Sequence, residues 1–400
     1  MDILLEWLTI LARWGHIMAG ISWIGTSFYF NWFDLSARPP EEKVLKENVR
    51  NTLHEMHGGS FYYHEQYWPD SDYKRTLAHS GPAQLTFLTG AALLALVYWY
   101  GASIYLIDPQ VFSLSKPSAI LLSAGGIAIA YPLYDKLCRE VESDRKIFFI
   151  VAIATGIAAF AFAQLFGGRA AYLHVGAMLG TVMVANVTFV IVPNHIAMRR
   201  QIQTGEKLDT WHGYLAKRRS QHNNYITLPV IFSMIGIHFP LAYSHQYSWI
   251  ILSLVMAAGA TLRHFRNVQF THEKKDLRLL AIAAIFGAAA VALTFIPKPA
   301  AQQDPAELAD PVLKDIYGIV QERCTTCHSA SPTSEDFISA PLGFMLDTLA
   351  QLRAKADLVY QRTNVTKDMP IANITEMTDD ERERLAAWLR SIGAGSAPEQ

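Results

Sequence analysis

The chain has 400 residues, of which 51% are hydrophobic and 17% are charged, and its formal net charge is −1 at pH 7. Soluble domains usually carry roughly 25% charged residues, so this composition excludes an ordinary soluble protein and indicates a membrane domain. The near-neutral charge gives no support for nucleic acid as a partner, because nucleic acid binding requires a basic surface.

Residues 1–297 contain eight apolar runs, each close to the length of about 20 residues that spans a bilayer. The first six residues include no basic region, and no small-residue cleavage site follows soon after them, so we expect the first run to remain as a membrane helix. The predicted spans are residues 8–33, 81–100, 117–135, 147–166, 170–194, 224–243, 247–265 and 278–297.

Basic residues are shared very unevenly between the loops of this predicted bundle. The odd-numbered loops, together with Arg263 and Arg278 at the span ends beside loop seven, contain 21 Lys and Arg residues, whereas the even-numbered loops contain only Lys116 and Arg169. Loops on the cytoplasmic side carry the excess of positive charge, so the odd loops are predicted to be cytoplasmic. We therefore predict a multi-pass protein of the bacterial inner membrane, surrounded by membrane lipid, with its N-terminus and the residues after 297 in the periplasm.

Loop one holds a dense cluster of histidine, acidic and aromatic residues at 54–68, with the sequence His-Glu-Met-His-Gly-Gly-Ser-Phe-Tyr-Tyr-His-Glu-Gln-Tyr-Trp. Such side chains can ligate, transfer protons and stack on a planar ring, and the two glycines let the backbone approach a ligand closely. The cluster lacks the His-Glu-x-x-His order of zinc proteases. The alternative is an amphipathic segment at the membrane interface, with its aromatic residues in the interfacial belt.

Three histidines, His16, His174 and His238, lie about two turns in from the periplasmic ends of spans one, five and six. Ionisable side chains at membrane depth are costly and are usually functional. Helix bundles hold cofactors between facing side chains, so two of these histidines could bind a haem b. The alternative is that the histidines form hydrogen bonds across helices or line water-filled cavities.

A polar, proline-rich linker at 298–309 leads to a predicted C-terminal domain at 310–395. This domain contains Cys324-Thr-Thr-Cys327-His328, which is the attachment signature of a c-type haem. In that signature the two thiols add to the haem vinyl groups and the adjacent histidine ligates the iron. The third cysteine, Cys138, lies alone at a helix end, and we assign it no role.

Two helices are predicted on either side of this motif, at 310–323 and 378–392. The second begins with a capping box between Thr378 and Glu381 and ends at Gly393. Two helices crossing beside a haem resemble class I cytochrome c. The predicted fold is therefore all-α, an eight-helix transmembrane bundle followed by a class I cytochrome c domain.

The sixth iron ligand is predicted to be a methionine, whose soft thioether raises the reduction potential. Met369 precedes Pro370 in a loop between helical segments, which is the usual setting of this ligand. Met345 and Met377 are the other candidates, and both are predicted to lie in the core of the domain.

Several segments together resemble the bacterial membrane-bound urate hydroxylases. They are residues 11–33, Leu-Ala-Arg-Trp-Gly-His-Ile-Met-Ala-Gly-Ile-Ser-Trp-Ile-Gly-Thr-Ser-Phe-Tyr-Phe-Asn-Trp-Phe; residues 57–62, His-Gly-Gly-Ser-Phe-Tyr; residues 192–195, Val-Pro-Asn-His; and the fusion to a Cys-x-x-Cys-His domain. The first span is also similar to that of small membrane haem proteins of the protoporphyrinogen oxidase class, which favours a haem b at His16.

The resemblance implies oxidation of urate to 5-hydroxyisourate, with the hydroxyl oxygen taken from water and without hydrogen peroxide. It also implies that electrons leave through the fused cytochrome domain to a respiratory cytochrome c or terminal oxidase. The expected catalytic residues are His57 or Glu65 as proton acceptor and Arg263 as a partner for the urate anion. The candidate donors to urate are Arg263, Arg266, Asn194 and Asn267, and the candidate stacking platforms are Tyr62 and Trp68.

Two other functions remain open at this point. One is an electron conduit that passes electrons from quinol or a partner to cytochrome c, with no urate chemistry. The other, from the first-span similarity, is an enzyme that oxidises a porphyrinogen. Urate-dependent reduction of the c-type haem would distinguish the urate hypothesis from both.

Overall fold

The computed structural model describes residues 2–40, 48–67, 80–297 and 301–395. Trp68 and the first three residues of the predicted linker lie outside these ranges. The described chain is mostly helical, as predicted. Its helices are α1 (Asp2–Ser36), α2 (Gly81–Leu93), α3 (Ala102–Tyr105), α4 (Lys116–Ala128), α5 (Ala130–Glu140), α6 (Asp144–Leu165), α7 (Gly168–Asn186), α8 (Val192–Thr204), α9 (Thr210–Gly236), α10 (Pro240–Tyr243), α11 (Ser248–His272), α12 (Leu277–Thr294), α13 (Pro311–Arg323), α14 (Leu349–Ala354), α15 (Ala356–Tyr360) and α16 (Asp379–Ser391).

Within the described ranges, six helical segments are long and apolar enough to cross a membrane, and each falls on a predicted span. Helices α1 and α9 occupy the positions of predicted spans one and six but are not among these six segments, and α9 opens with a strongly polar stretch. A multi-pass membrane protein is consistent with these six segments. The count of eight spans stays a prediction. The six segments are Gly81–Trp99, Lys116–Glu140, Asp144–Leu165, Gly168–Thr204, Ser248–His272 and Leu277–Thr294.

Helix α7 is the central helix of the bundle. It packs against α9, α6, α4, α5 and α2, and most of its side chains are buried. A π-helical turn at Val187–Ile191 joins it to α8 without a break, so that Gly168–Thr204 is one helical segment of 37 residues. The main hydrophobic core forms around Tyr172 and Val175 at the start of this segment and Phe166 just before it.

The all-α prediction is wrong for loop one, which folds as an antiparallel hairpin of β1 (Val49–His57) and β2 (Ser60–Tyr67). Its turn is Gly58-Gly59, with φ of +58° and +79°. Two-residue hairpin turns of this type require positive φ at both residues, and glycine adopts positive φ without strain. The segments on either side of the turn contain many aromatic residues, which favour strand structure. A backbone bridge between Arg38 and Thr52 holds the hairpin against the end of α1.

The C-terminal residues form a small helical domain with its own core, built from α13, α16 and the short helices between them. The two predicted helices are confirmed at Pro311–Arg323 and Asp379–Ser391, and the capping box between Thr378 and Glu381 is present. Gly393 follows with φ +96°, in the left-handed conformation that ends many helices.

This C-terminal domain docks on one end of the bundle, which we call the docking end; the end that carries the hairpin is the far end. Lys355 forms an ion pair with Asp108 across the junction, with Nζ and Oδ1 3.4 Å apart. Gly343 lies against the side chain of Ser244, where an added Cβ would collide with the hydroxyl group. The bundle and the domain are therefore in direct contact.

Candidate functional site

A buried polar cluster lies toward the far end of the bundle, where α1, α9 and α11 meet, and we call it the Arg263 cluster. Arg263 is only 6% exposed. Its Nε donates to Oδ1 of Asn224, and its Nη2 donates to Oδ1 of Asn31 at 3.0 Å. The guanidinium carbon lies 3.9 Å from the centroid of the Phe28 ring. A charged side chain is thus buried between three helices and hydrogen-bonded to two of them.

Two amide atoms of the Arg263 cluster have no hydrogen-bond partner, although both are buried. They are Nδ2 of Asn224 and Oδ1 of Asn267, which lies one helical turn after Arg263 on α11. More than nine-tenths of buried polar atoms in proteins are paired. The cluster therefore offers one free donor and one free acceptor beside a cation and an aromatic ring.

This combination suits a planar anion that carries both carbonyl oxygens and ring N–H groups. The guanidinium and the amide N–H donate to oxygens, the amide oxygen accepts from an N–H group, and the ring provides a flat contact surface. Of the predicted donors, Arg263 and Asn267 come together here. Asn31, Asn224 and Phe28 were not predicted, because neither their polarity nor their spacing marks them in the sequence.

The other two predicted donors lie elsewhere. Arg266 is exposed and donates to Gln269 on its own helix. Asn194 belongs to α8, where its Oδ1 lies 2.7 Å from Nδ1 of His212. Neither side chain joins the Arg263 cluster.

The predicted proton acceptors His57 and Glu65 are on the hairpin. His57 is exposed beside the Gly58-Gly59 turn, and Glu65 is half-buried on β2 opposite Thr52. Tyr62, one predicted stacking platform, is 46% exposed, and Trp68, the other, lies outside the described residues. The structure therefore does not bring His57 into the buried cluster with Arg263.

A different acid–base pair on the hairpin contacts α1, one of the three helices that form the Arg263 cluster. Oε2 of Glu55 accepts from the Tyr29 hydroxyl at 3.0 Å and lies 3.1 Å from Nε2 of His64. Tyr29 is the neighbour of Phe28 on α1, and the His64 ring also packs against Phe33. The alternation of side chains on each side of the Gly-Gly turn could have predicted this pairing once the hairpin was recognised.

The three histidines proposed for haem b have different environments. His174 is completely buried, with Nε2 2.7 Å from the Ser123 hydroxyl and Nδ1 2.7 Å from the Ala170 carbonyl, so both ring nitrogens are occupied. His16 is half-buried, with Nδ1 2.9 Å from the Thr86 carbonyl. His238 is exposed. His174 fits the alternative of hydrogen bonds across helices and does not fit a haem ligand without rearrangement.

Two histidines at the far end of the bundle also form hydrogen bonds to neighbouring helices. Nδ1 of His222 lies 2.7 Å from the Tyr134 hydroxyl, and its Nε2 lies 3.1 Å from Asp144. His264 accepts or donates through Nδ1 to the Tyr225 hydroxyl at 2.8 Å. These side chains belong to hydrogen-bonded networks that join neighbouring helices.

The residues of the Cys-x-x-Cys-His motif follow α13 directly. Cys324 is buried, and burial raises the pKa of its thiol to about 12, while Cys327 is half-buried. His328 turns its Nδ1 toward the Phe344 carbonyl at 2.9 Å, and its pKa is lowered by burial, an effect that this hydrogen bond partly offsets. A metal-ligating histidine usually donates one ring nitrogen in this way and presents the other to the metal. The three side chains therefore fit a covalently attached haem.

The predicted sixth ligand, Met369, is half-buried, and Arg382 donates to its carbonyl at 2.7 Å. Met377 is 3% exposed in the core of the domain, as predicted, whereas Met345 is only half-buried and lies at the junction with the bundle. Within the described ranges, no three His, Cys, Asp or Glu side chains gather as a metal site. A haem iron held by one histidine and one methionine needs no such group.

Comparisons with known proteins address only the first part of the chain. Residues 2–295 match the family model described as urate oxidase N-terminal. Neither the curated proteins nor the solved structures gave a match. The matched range contains α1 to α12, the hairpin and the whole Arg263 cluster.

Proposed function

The chain belongs to the urate oxidase N-terminal family, and on that premise we propose that it oxidises urate to 5-hydroxyisourate with water as the oxygen source. Urate and one water molecule give 5-hydroxyisourate, two protons and two electrons. The electrons pass to the C-terminal domain and from there to a respiratory cytochrome c or terminal oxidase. No hydrogen peroxide is formed, because oxygen is not the electron acceptor.

The observation that carries this proposal is the Arg263 cluster. Urate is a planar anion whose rim alternates carbonyl oxygens with ring N–H groups. Arg263 and Nδ2 of Asn224 would donate to its oxygens, while Oδ1 of Asn267 would accept from a ring N–H group. The Phe28 ring would stack on its face. Both unpartnered amide atoms would then be satisfied, as buried polar atoms normally are.

The chain must also remove two protons and hold the attacking water. The Glu55–His64 pair is suited to the first task, because a carboxylate that orients an imidazole makes it a better proton acceptor. The pair reaches α1 through Tyr29, next to Phe28. The predicted acceptors His57 and Glu65 lie on the same hairpin and stay predictions.

The electron acceptor within the chain would be a c-type haem in the C-terminal domain. Cys324 and Cys327 would hold it covalently, His328 would ligate the iron with its orientation fixed by Phe344, and Met369 is the proposed sixth ligand. When bound, such a haem supplies one-electron oxidation. A haem b in the bundle stays a prediction, which extraction of non-covalent haem from the purified protein would test.

The experiment is an optical titration of the purified full-length protein with urate in the absence of oxygen. We expect urate to reduce the c-type haem and no peroxide to form. Arg263→Gln should lower the apparent affinity for urate at least about tenfold, since a hydrogen bond to a charged group contributes about 1.5–3 kcal/mol. Arg266→Gln is the matched control, because Arg266 lies one turn away outside the cluster, and it should behave like the wild type.

Two results would overturn the proposal. If urate leaves the haem oxidised while quinol reduces it, the protein is an electron conduit. If Arg263→Gln and Arg266→Gln are equally active, urate binds elsewhere.

A further inference from the structure

The N-terminus of α7 at the docking end is a helix end without a side-chain cap. The helix begins at Gly168, its N-cap residue is Gly167, and its first turn contains no acidic residue. The first N–H groups of a helix have no partner within the helix, and the helix dipole places partial positive charge there. This end of a 19-residue helix is therefore electropositive and lacks its own acceptor.

The same helix end opens into a cavity of about 340 Å³ between the bundle and the C-terminal domain. Gly168 and Arg169 line it from α7, Tyr243 from α10, and Phe344 and Lys355 from the C-terminal domain. A ligand in this cavity would contact both parts of the protein.

Two polar groups at this cavity are buried and unpartnered. Tyr243 is only 3% exposed, and its hydroxyl has no hydrogen-bond partner; Nε of Arg169 has none either. Behind them, Tyr98 is 4% exposed and its hydroxyl is also unpartnered. Arg169 and Tyr98 both lie beside the Tyr105 ring, 5.7 Å and 6.3 Å from its centroid, and Arg169 and Tyr243 line the same cavity. All three unpartnered groups are hydrogen-bond donors.

No described carboxylate forms an ion pair with Arg169. Asp108 lines the cavity, but it pairs with Lys355 of the C-terminal domain. Arg169 lies over the Tyr105 ring, 5.7 Å from its centroid, and the described part of the chain gives it no ion pair. A cation, a helix N-terminus and the unpartnered Tyr243 hydroxyl thus belong to the lining of one cavity, and the carboxylate described there, Asp108, is already paired with Lys355.

We propose that this cavity, bounded by Gly168, Arg169 and Tyr243, is a binding site for an oxyanion of the phosphate type. Arg169 would supply the charge, the first N–H groups of α7 would donate to one oxygen, and the Tyr243 hydroxyl to another. The phosphate can come from a phospholipid headgroup or from a soluble phosphate. Because the bundle and the C-terminal domain both line the site, occupancy stabilises their contact. This inference is independent of the urate chemistry.

The test uses full-length protein that has been depleted of lipid in detergent, with inorganic phosphate as the probe. We expect phosphate, but not an equal ionic strength of chloride, to raise the midpoint of thermal unfolding by a few degrees. Arg169→Gln should abolish this shift. Lys116→Gln is the matched control, because Lys116 is the other basic residue of the even loops and donates to the Tyr100 carbonyl instead; it should keep the full shift.

A second variant covers the case in which Arg169→Gln does not fold. Tyr243→Phe removes one hydroxyl group that has no partner in the protein, so the fold should persist, while the phosphate dissociation constant should rise at least about tenfold. Equal phosphate shifts in wild type, Arg169→Gln and Tyr243→Phe would overturn the proposal.

Two further arms distinguish the source of the phosphate. Phosphorus analysis of protein purified without delipidation should find a retained phospholipid in the wild type and in Lys116→Gln that is lost in Arg169→Gln. Nanodiscs of phospholipid should then stabilise the protein more than nanodiscs of a phosphate-free galactolipid. A response to inorganic phosphate without retained lipid phosphorus assigns the site to a soluble phosphate, and no response in any arm overturns the proposal.

Discussion

At the scale of single residues, the sequence predicts Arg263 as a donor to the urate anion because it is a cation near the end of a predicted span, where the substrate pocket is expected to open. The same reasoning identifies Asn267, one turn along the helix. It cannot identify Asn31, Asn224 or Phe28, which reach Arg263 only through the packing of three helices. The site is therefore predictable on one helix and unpredictable where other helices complete it.

The unpartnered Oδ1 of Asn267 allows a prediction that separates binding from stability. Asn267→Leu replaces a buried amide with an apolar side chain of similar volume and removes an unsatisfied acceptor, which costs about 1–3 kcal/mol when buried. The thermal stability should stay the same or rise, while the urate concentration for half-maximal haem reduction should rise at least about tenfold. Gln269→Leu, at a position outside the cluster, serves as control. A loss of stability with unchanged urate response would show that Asn267 has a structural role.

At the scale of elements, the helices were predictable because their apolar runs are long, and the capping box of α16 is visible in four residues. The hairpin was missed because its histidines, acids and aromatic residues were interpreted by their chemistry and not by their alternation. The Gly58-Gly59 turn determines which side chains share a face. That turn places Glu55 next to His64 and leaves His57 exposed at the tip.

The contact between α13 and α16 includes an ion pair that should make the C-terminal domain sensitive to acid. Arg323 donates to both carboxylate oxygens of Glu381, with three N–O distances of 3.0–3.1 Å. Burial raises the pKa of Glu381, but the hydrogen bonds from Arg323 and Thr378 outweigh this and hold the pKa below its ordinary value of 4.5. A lowered carboxyl pKa stabilises the folded state above pH 4.5, and this stability is lost as the pH falls through the lowered pKa.

Glu381→Gln tests this ion pair while keeping the capping box, since glutamine can also fill its third position. At neutral pH, the unfolding midpoint of the C-terminal domain in the full-length protein should fall by a few degrees. Below pH 4.5 the difference from wild type should shrink. The unfolding midpoint of the variant should therefore fall less steeply as the pH is lowered. Calorimetry at several pH values measures both effects. A constant difference at all pH values would show that the carboxylate charge is not responsible.

At the scale of the whole molecule, the composition predicts a membrane part and a C-terminal part, and the proline-rich linker suggests a simple tether. The structure adds a direct junction between the two parts. Lys355 and Asp108 are separated by 247 residues in the chain, and nothing local to either residue indicates the other. Contacts of this kind depend on the final packing, so sequence patterns cannot reveal them.

A charge-reversal cycle tests whether the junction is held by this ion pair. Lys355→Asp and Asp108→Lys should each weaken docking, and the double variant should restore it, with a coupling of about 0.2–1 kcal/mol for a partly exposed pair. The measurement is the fraction of C-terminal domain that copurifies with the bundle after a protease site placed in the linker has been cut. If the loss of docking in the double variant equals the sum of the losses in the two single variants, the ion pair does not contribute.

The continuous helix from Gly168 to Thr204 has a consequence for how a water-soluble substrate meets the protein. Its 37 residues extend for about 55 Å, whereas the hydrocarbon layer of a bilayer is about 30 Å thick. In a bilayer, close to half of its length would lie outside the hydrocarbon layer, and we expect the polar sequence of α8, where Asn194 is hydrogen-bonded to His212, to form that part. We therefore expect the far end to extend beyond the hydrocarbon layer into water, so that an anion can reach the protein without entering the membrane.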